Sequence, residues 1–405
     1  MKPIVRAGRM KPVHSDIRGP LFVEAMKRQK QGIDILKLNT GNPATFGFGL
    51  PDSIKNALME HMQDGVGYCD FKGMPQARQA ICDYETSKGI KGITSDDVFI
   101  GNGVSEVVSF ALTPLLNDGD EVLVPSPSYS LWGNSVYLED GKPVFYTCDE
   151  QANWYPDIKD IRSKITDKTK AIVIINPNNP TGVLYPKELL LEIIQIARES
   201  GLLIFADEIY DRLVMDGKQH ISLASLTEDV PVITLNGLSK SHCLCGYRCG
   251  WMVISGPREL TEDYRQGIIQ LTSLRLCANT LAQIVIPAAL DDMETPASMV
   301  RPGGRIYEQR EATVRELEKI DGLSFVKNDA AFYVFPKLDA KKFNITNDKQ
   351  FAHDLLDATN ILLVPGSGFD WKDPDHFRIV MLPQADILSD AIRRMGTFLD
   401  GYKQK

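Results

Sequence analysis

Lys170-Ala-Ile-Val-Ile-Ile175 is an apolar run that ends abruptly at Asn176-Pro-Asn-Asn-Pro-Thr-Gly182. Such a run offers no polar face to water, so it reads as a strand buried on both sides. Two prolines and a glycine then fix the direction in which the chain leaves it. The same device recurs on either side. Asp97-Val-Phe-Ile100 leads into Gly101-Asn-Gly-Val-Ser-Glu106 and an apolar helical pattern reaching Leu116. Glu121-Val-Leu-Val124 is followed by a proline-rich turn and a helix candidate from Leu131. Lys187 to Ser200 has helical periodicity, with Gly201 placed to end it, and Leu202 to Ala206 and Val232 to Leu235 are further short strands. Strands alternating with helices predict an α/β fold with a mostly parallel sheet between helices.

The pattern changes near Pro296. Arg305 to Ile320 predicts a long charged helix, and Leu323 to Lys327 with Ala331 to Leu338 a pair of strands. Asp348 to Thr359 and Ala385 to Leu399 are helical, and Ile361 to Val364 and His376 to Met381 are strands. We therefore expect a large domain over 46–295 and a smaller α+β domain over 296–405. Residues 1–45 form an arm and part of the small domain.

Charge and cysteine content narrow the function. Against 45 Lys and Arg stand 53 Asp and Glu, a net charge of −8, which disfavours nucleic acid and anionic membrane as partners. No stretch approaches the ~18 apolar residues of a membrane span, and the basic start of the chain lacks the apolar core of a secretory signal. Seven scattered cysteines fit reduced thiols, so a cytoplasmic location is expected. Cys243, Cys245 and Cys249 lie near His242, but their spacing is not that of zinc pairs, and no metal is expected.

In open α/β sheets, ligands bind beyond the carboxyl ends of the strands. The chemistry-bearing residues sit there. Lys240 follows the strand ending at Leu235, in Asn236-Gly-Leu-Ser-Lys240, and Arg248 lies in Gly246-Tyr-Arg-Cys-Gly-Trp251. Asp207 ends another strand, with Tyr210 three residues on. An amine for a Schiff base, a buried acid for a pyridinium nitrogen and a cation for a phosphate are what pyridoxal phosphate needs from a protein. Val104 and Ser105 open a helix whose amides suit a phosphate, although Ser105 equally suits a helix cap. The rival reading, a dinucleotide fingerprint, lacks its third glycine, with Glu106 in that place. Asn179 is presented at a strand end. Tyr129, in Pro125-Ser-Pro-Ser-Tyr129, is placed to stack on a ring; Trp132 competes for that role, with core packing its stronger reading. Arg378, inside the apolar His376-Phe-Arg-Ile-Val380, needs an anion, either a structural carboxylate or that of an amino acid.

Together these residues resemble the class I aminotransferases of pyridoxal-phosphate fold type I. The resemblance runs through Asn39-Thr-Gly-Asn-Pro43, Tyr68-Cys-Asp-Phe-Lys-Gly73, Asn176 to Gly182, Ala206-Asp-Glu-Ile-Tyr210, Ser239-Lys240, Gly246-Tyr-Arg248 and Phe377-Arg378. Within the class the chain is most similar to the bacterial alanine transaminase group, through Asp16-Ile-Arg-Gly-Pro20 and Leu274-Arg-Leu-Cys-Ala-Asn279.

The resemblance implies a sheet of the seven-stranded type and a homodimer with shared active sites. It implies that Lys240, Asp207 and Tyr210 are catalytic, Lys240 carrying the cofactor and Asp207 pairing with its ring nitrogen. Asn179 and Tyr210 would contact the ring oxygen and Tyr129 would stack on the ring. Val104, Ser105, Ser239 and Arg248 would hold the phosphate, joined by Tyr68 from the neighbouring subunit. Gly41, Asn179 and Arg378 would bind the substrate carboxylate. Gly237 departs from relatives that have a serine there. Arg275 lies near the place of a distal-carboxylate arginine, with the phosphate shell or an ion pair as its other roles. The implied reaction is transfer of an amino group from alanine to 2-oxoglutarate. Aspartate, aromatic or branched-chain transamination and C–S β-lysis are the alternatives.

Overall fold

The computed structural model describes residues 3–405; Met1 and Lys2, the first residues of the expected arm, lie outside the described residues. Its centre is one sheet of seven long strands and one two-residue strand. In chain order these are β1 Val98–Asn102, β2 Glu121–Ser126, β3 Lys142–Asp149, β4 Tyr155–Pro156, β5 Thr169–Ile175, β6 Leu203–Asp207, β7 Val232–Gly237 and β8 Cys249–Ser255. Across the sheet the order is β1-β8-β7-β6-β5-β2-β3-β4. The pairs from β7 through β3 are parallel; β8 runs antiparallel to both β7 and β1, and β4 antiparallel to β3.

The apolar runs follow from burial of both faces. Ile172, Ile174 and Ile204 join one core with Leu190, Ile193 and Ile194, while Ala171, Val173, Ile175 and Phe205 join another with Val107, Val108 and Trp132. Successive side chains of one strand thus enter different cores.

The helices obey their local signals. α1 (Val104–Leu112) stops short of the expected Leu116, because Pro114 disfavours helix at the preceding residue. Its N-cap is Gly103, at φ 84°, with no side-chain cap bond, so the capping role open to Ser105 is not realised. α2 (Lys187–Ser200) ends on Gly201, which is left-handed at φ 64°.

The C-terminal part has its own core, where Leu317, Phe351, Leu355, Phe377, Ile379 and Met395 meet Leu38 of the N-terminal segment. Leu36–Lys37 pairs in parallel with Ile361–Leu362, which ties that segment to the C-terminal part. The expected strands there are shorter than the sequence suggests. Tyr333–Val334 and Val364–Pro365 flank Phe377–Val380, giving a small antiparallel sheet that carries Arg378.

Topology brings the site together. The carboxyl ends of β1, β2, β5, β6 and β7 share one edge of the sheet. Because β8 is antiparallel, its start lies at that same edge, which is where Arg248 enters it.

Candidate active site

Asp207 is the last residue of β6, opposite Ile175 of β5 and Leu235 of β7. It is buried, accepts from Trp132 Nε1 at 3.1 Å, and has no cationic partner among the described residues. Burial pushes its pKa up to about 6. Trp132 therefore packs in the core, 5.3 Å from the Phe205 ring, and also orients this carboxylate.

Lys240 projects from the short helix Leu238–Ser241 that follows β7. Its Nζ donates to the carbonyl of Gly41 at 2.9 Å and lies 3.8 Å from Cys245 Sγ. Burial works against its charge, but Tyr333, Cys245 and Tyr129 outweigh it and leave the pKa raised. Gly41 can come this close only without a side chain, since a Cβ would lie 2.3 Å from the Tyr333 hydroxyl.

Arg378 is 1% exposed. It donates through Nη1 to Asn179 Oδ1 at 3.0 Å and through Nη2 to the Asn39 carbonyl, and its Nε has no partner. The guanidinium lies 4.6 Å from the ring centres of both Tyr333 and Phe369. No carboxylate meets it among the described residues, and burial lowers its pKa. Tyr210 shares a 2.9 Å hydrogen bond with Tyr333, and burial holds its pKa well above the usual tyrosine range, so it keeps its proton.

Of the remaining predicted residues, Val104, Ser105 and Arg248 meet at the start of α1. Val104 and Ser105 occupy its first turn. Arg248, at φ 60°, anchors its guanidinium on the Cys245 carbonyl at 2.9 Å, and a Cβ on Gly103 would lie 2.2 Å from it. Ser239 sits one residue before Lys240, and Tyr129 lies on the loop after β2. Tyr68 does not join the cluster within one chain. It is 84% exposed.

Arg275 is committed elsewhere. Its Nη1 lies 2.6 Å from Glu106 Oε2, and its Nη2 donates to the Phe71 and Ile100 carbonyls. Of its possible roles, the ion pair is the one realised. Of the clustered cysteines, Cys243 and Cys249 are buried, and Cys245 donates to the Ser239 carbonyl at 2.9 Å.

Sequence reasoning missed Tyr333 and Asn39. Tyr333 lies inside the expected strand Ala331 to Leu338, where it read as one more packing residue; the one signal was a tyrosine in an apolar run, whose buried hydroxyl needs a partner.

An amine, a buried acid without a cationic partner among the described residues, an arginine beside a helix start and a buried guanidinium thus gather at one edge of the sheet. The model of the family described as aminotransferase class I and II matches residues 33–392. The chain belongs to this family. This aminotransferase is 50% identical over 404 residues to the glutamate-pyruvate aminotransferase AlaA of Haemophilus influenzae, covering all of both chains. It is 45% identical to the alanine aminotransferase of Mycobacterium bovis, covering all of this chain and 94% of that one. A crystal structure of an aminotransferase from Escherichia coli superposes with a TM-score of 0.98 at 47% identity, covering both chains completely. The aminotransferase has fold type I and depends on pyridoxal phosphate. Its residues fit that group: Asp207 lacks a cation among the described residues, and the glycine at position 103 leaves room for Arg248 beside the helix start.

Proposed function

We propose that this aminotransferase is an alanine transaminase, moving the amino group of L-alanine to 2-oxoglutarate in two half-reactions and releasing pyruvate and glutamate. The observation that carries the reading is Arg378, a buried guanidinium with an open Nε and no carboxylate of its own. A planar fork in that state suits the α-carboxylate of an amino acid. The choice of alanine rests on the relatives, named glutamate-pyruvate and alanine aminotransferase.

Bound pyridoxal phosphate supplies an aldehyde that exchanges amines and a ring that withdraws electrons from the substrate Cα. We assign the rest to the chain's own groups. Val104, Ser105, Ser239 and Arg248 hold the phosphate at the positive end of α1. Asp207, oriented by Trp132, would pair with the ring nitrogen, and Tyr129 would stack on the ring. Tyr210 keeps its proton and donates to the ring oxygen beside Asn179. Arg378 and Asn179 fix the substrate carboxylate, with the Gly41 backbone alongside, so that the Cα–H bond faces Lys240. The Lys240 Nζ then removes the α-proton, a role typically worth ~10²–10⁴-fold.

We further propose a homodimer. Val66 and Tyr68 line one cleft with Cys277 to Thr280 and remain 77% and 84% exposed, which suits a position against a second subunit's phosphate. A cytoplasmic location is supported by seven free cysteines. Among the described residues no single helix is long and apolar enough to cross a membrane. We retain the division into 1–45, 46–295 and 296–405.

The test is a half-reaction. Alanine added alone to the cofactor-loaded protein should shift the visible band and release one equivalent of pyruvate. A shift with another amino acid only would discard alanine. Ammonia release from a sulfur amino acid, with no shift from any donor, would move the reading to a lyase.

A further inference from the structure

Behind the active edge lies a second charged cluster that the proposed chemistry does not use. Lys88 ends the helix Pro75–Ser87 and is 12% exposed. Its Nζ lies 2.6 Å from Glu85, 2.8 Å from Glu208 and 3.2 Å from Asp211, all nearly or fully buried. The ligand atoms of Glu208, Asp211 and His220 all fall within 4.8 Å of one another, as a cation site would require, and the Lys88 amine supplies that cation. Burial opposes its charge, but Glu208, Glu85 and Asp211 outweigh it and hold its pKa well above the usual value.

Glu85 also accepts from Trp251 Nε1 at 3.1 Å, and the other two carboxylates lead to the active edge. Glu208 directly follows Asp207, and its backbone N–H donates to Leu235 of β7 at 2.9 Å. Its carboxylate also accepts from Ser222 Oγ and the Leu223 N–H. Asp211 directly follows Tyr210. One of its oxygens accepts from the Tyr84 hydroxyl at 2.5 Å and from Asn236 Nδ2 at 2.7 Å. Asn236 in turn accepts from the Gly237 N–H, three residues before Lys240. His220, 3.9 Å from Glu208, meets the carbonyl of Asn176, which opens the loop carrying Asn179. Tyr84 and Arg212 complete the groups around Lys88, the Arg212 guanidinium lying 4.3 Å from the Tyr84 ring centre.

We infer that Lys88 is a positioning residue for the reaction. Through Glu208 and Asp211 it clamps both ends of the Asp207–Tyr210 turn, and through Asn236 it fixes the backbone that presents Lys240. A cluster of this kind costs desolvation that apolar packing would avoid. What it provides here is one arrangement of three strand ends. The inference rests on the roles proposed above for Asp207 and Lys240.

The test compares the wild type with Lys88→Met and Tyr84→Phe. The first readout is the dissociation constant of pyridoxal phosphate, titrated into the cofactor-free protein and followed by visible absorbance. The second is the half-reaction rate at saturating donor. Lys88→Met should raise the constant about 10- to 100-fold, as loss of a group that orients a ligand-binding residue does. It should also slow the half-reaction more than it raises the half-saturating donor concentration. Tyr84→Phe removes one donor from Asp211 and should act severalfold in the same direction. A Lys88→Met protein with a lowered Tm but wild-type cofactor affinity and rate would overturn the inference. If that variant does not fold, wild-type affinity and rate in Tyr84→Phe would overturn it. The cofactor constant is independent of the donor, so a wild type inactive on alanine would sink the substrate reading and leave this test intact.

Discussion

Asp207 and Glu208 are neighbours in sequence and opposites in environment. Both carboxylates are buried at the end of β6. Glu208 faces into the protein and meets Lys88, Ser222 and the Leu223 N–H. Asp207 receives only neutral donors among the described residues, with its pKa pushed up to about 6. The same contrast separates two arginines. Arg310 is fully buried and held by both oxygens of Asp216 at 2.7 Å, whereas among the described residues Arg378 meets only neutral acceptors. Isolating a buried charge costs several kcal/mol unless something pairs with it. The charges that the chain leaves uncompensated therefore mark where its ligands supply the missing partner, and the compensated ones mark the scaffold.

The largest effect should come from Lys240. Lys240→Ala removes the proposed base and the covalent anchor together, and turnover should fall by at least ~10⁴-fold. Steady-state rates and the half-reaction both report it, and a variant retaining a tenth of the activity would sink the assignment.

The two arginines sharpen the comparison next. Arg378→Lys keeps the charge but loses the planar fork, and kcat/KM should fall by ~10²–10³-fold, mostly through KM. Arg310→Lys should lower Tm and leave KM near the wild type. Equal kinetic damage in both would mean that pairing state does not separate ligand site from scaffold.

Much of this contrast was legible in the sequence, because each uncompensated charge interrupts or ends an apolar run. The helices Lys187–Ser200, Asp348–Thr359 and Ala385–Leu399 were legible to the residue, since helical periodicity spans each. The strands β3 and β8 were not. Lys142-Pro-Val-Phe-Tyr-Thr-Cys-Asp149 lacks an uninterrupted apolar run, and Cys249-Gly-Trp251 read as part of the Arg248 motif. The antiparallel course of β8, which carries Arg248 to the active edge, is set by long-range pairing that no local signal reports. The Lys88 cluster was invisible for the same reason. Its lysine ends a helix far along the chain from Glu208, and a lone lysine otherwise reads as solvated surface.

The pH dependence of cofactor binding is a smaller and more selective test. With its folded pKa near 6 against an ordinary value of 3.8, Asp207 keeps its proton in the folded, cofactor-free protein at pH values where the unfolded chain has lost it. The unfolded state then binds fewer protons, so this residue lowers stability as pH rises from about 4 to about 6. A cation on the cofactor ring removes that penalty. The rise in Tm on adding pyridoxal phosphate should therefore be larger at pH 7 than at pH 5, and Asp207→Asn should flatten the difference. An equal pH dependence in wild type and variant would show that Asp207 does not face the ring nitrogen.

Trp132→Phe should have the smallest effect of the series. It keeps an aromatic ring against Phe205 but removes the Nε1–H that reaches Asp207 together with part of the buried indole volume. Hydrogen bonds to charged groups contribute about 1.5–3 kcal/mol, but in the cofactor-free protein Asp207 is protonated over part of the pH range, which weakens this one. Once the carboxylate is ionised against a ring cation, the indole N–H stabilises the ion pair fully. Trp132→Phe should therefore raise the cofactor dissociation constant by about tenfold at pH 7 and by less at pH 5. Thermal unfolding of the cofactor-free variant at pH 5 separates the two functions of the residue. A Tm near the wild type there, with weaker cofactor binding at pH 7, would place Trp132 with the site. A large fall in Tm with unchanged binding would return it to the core alone.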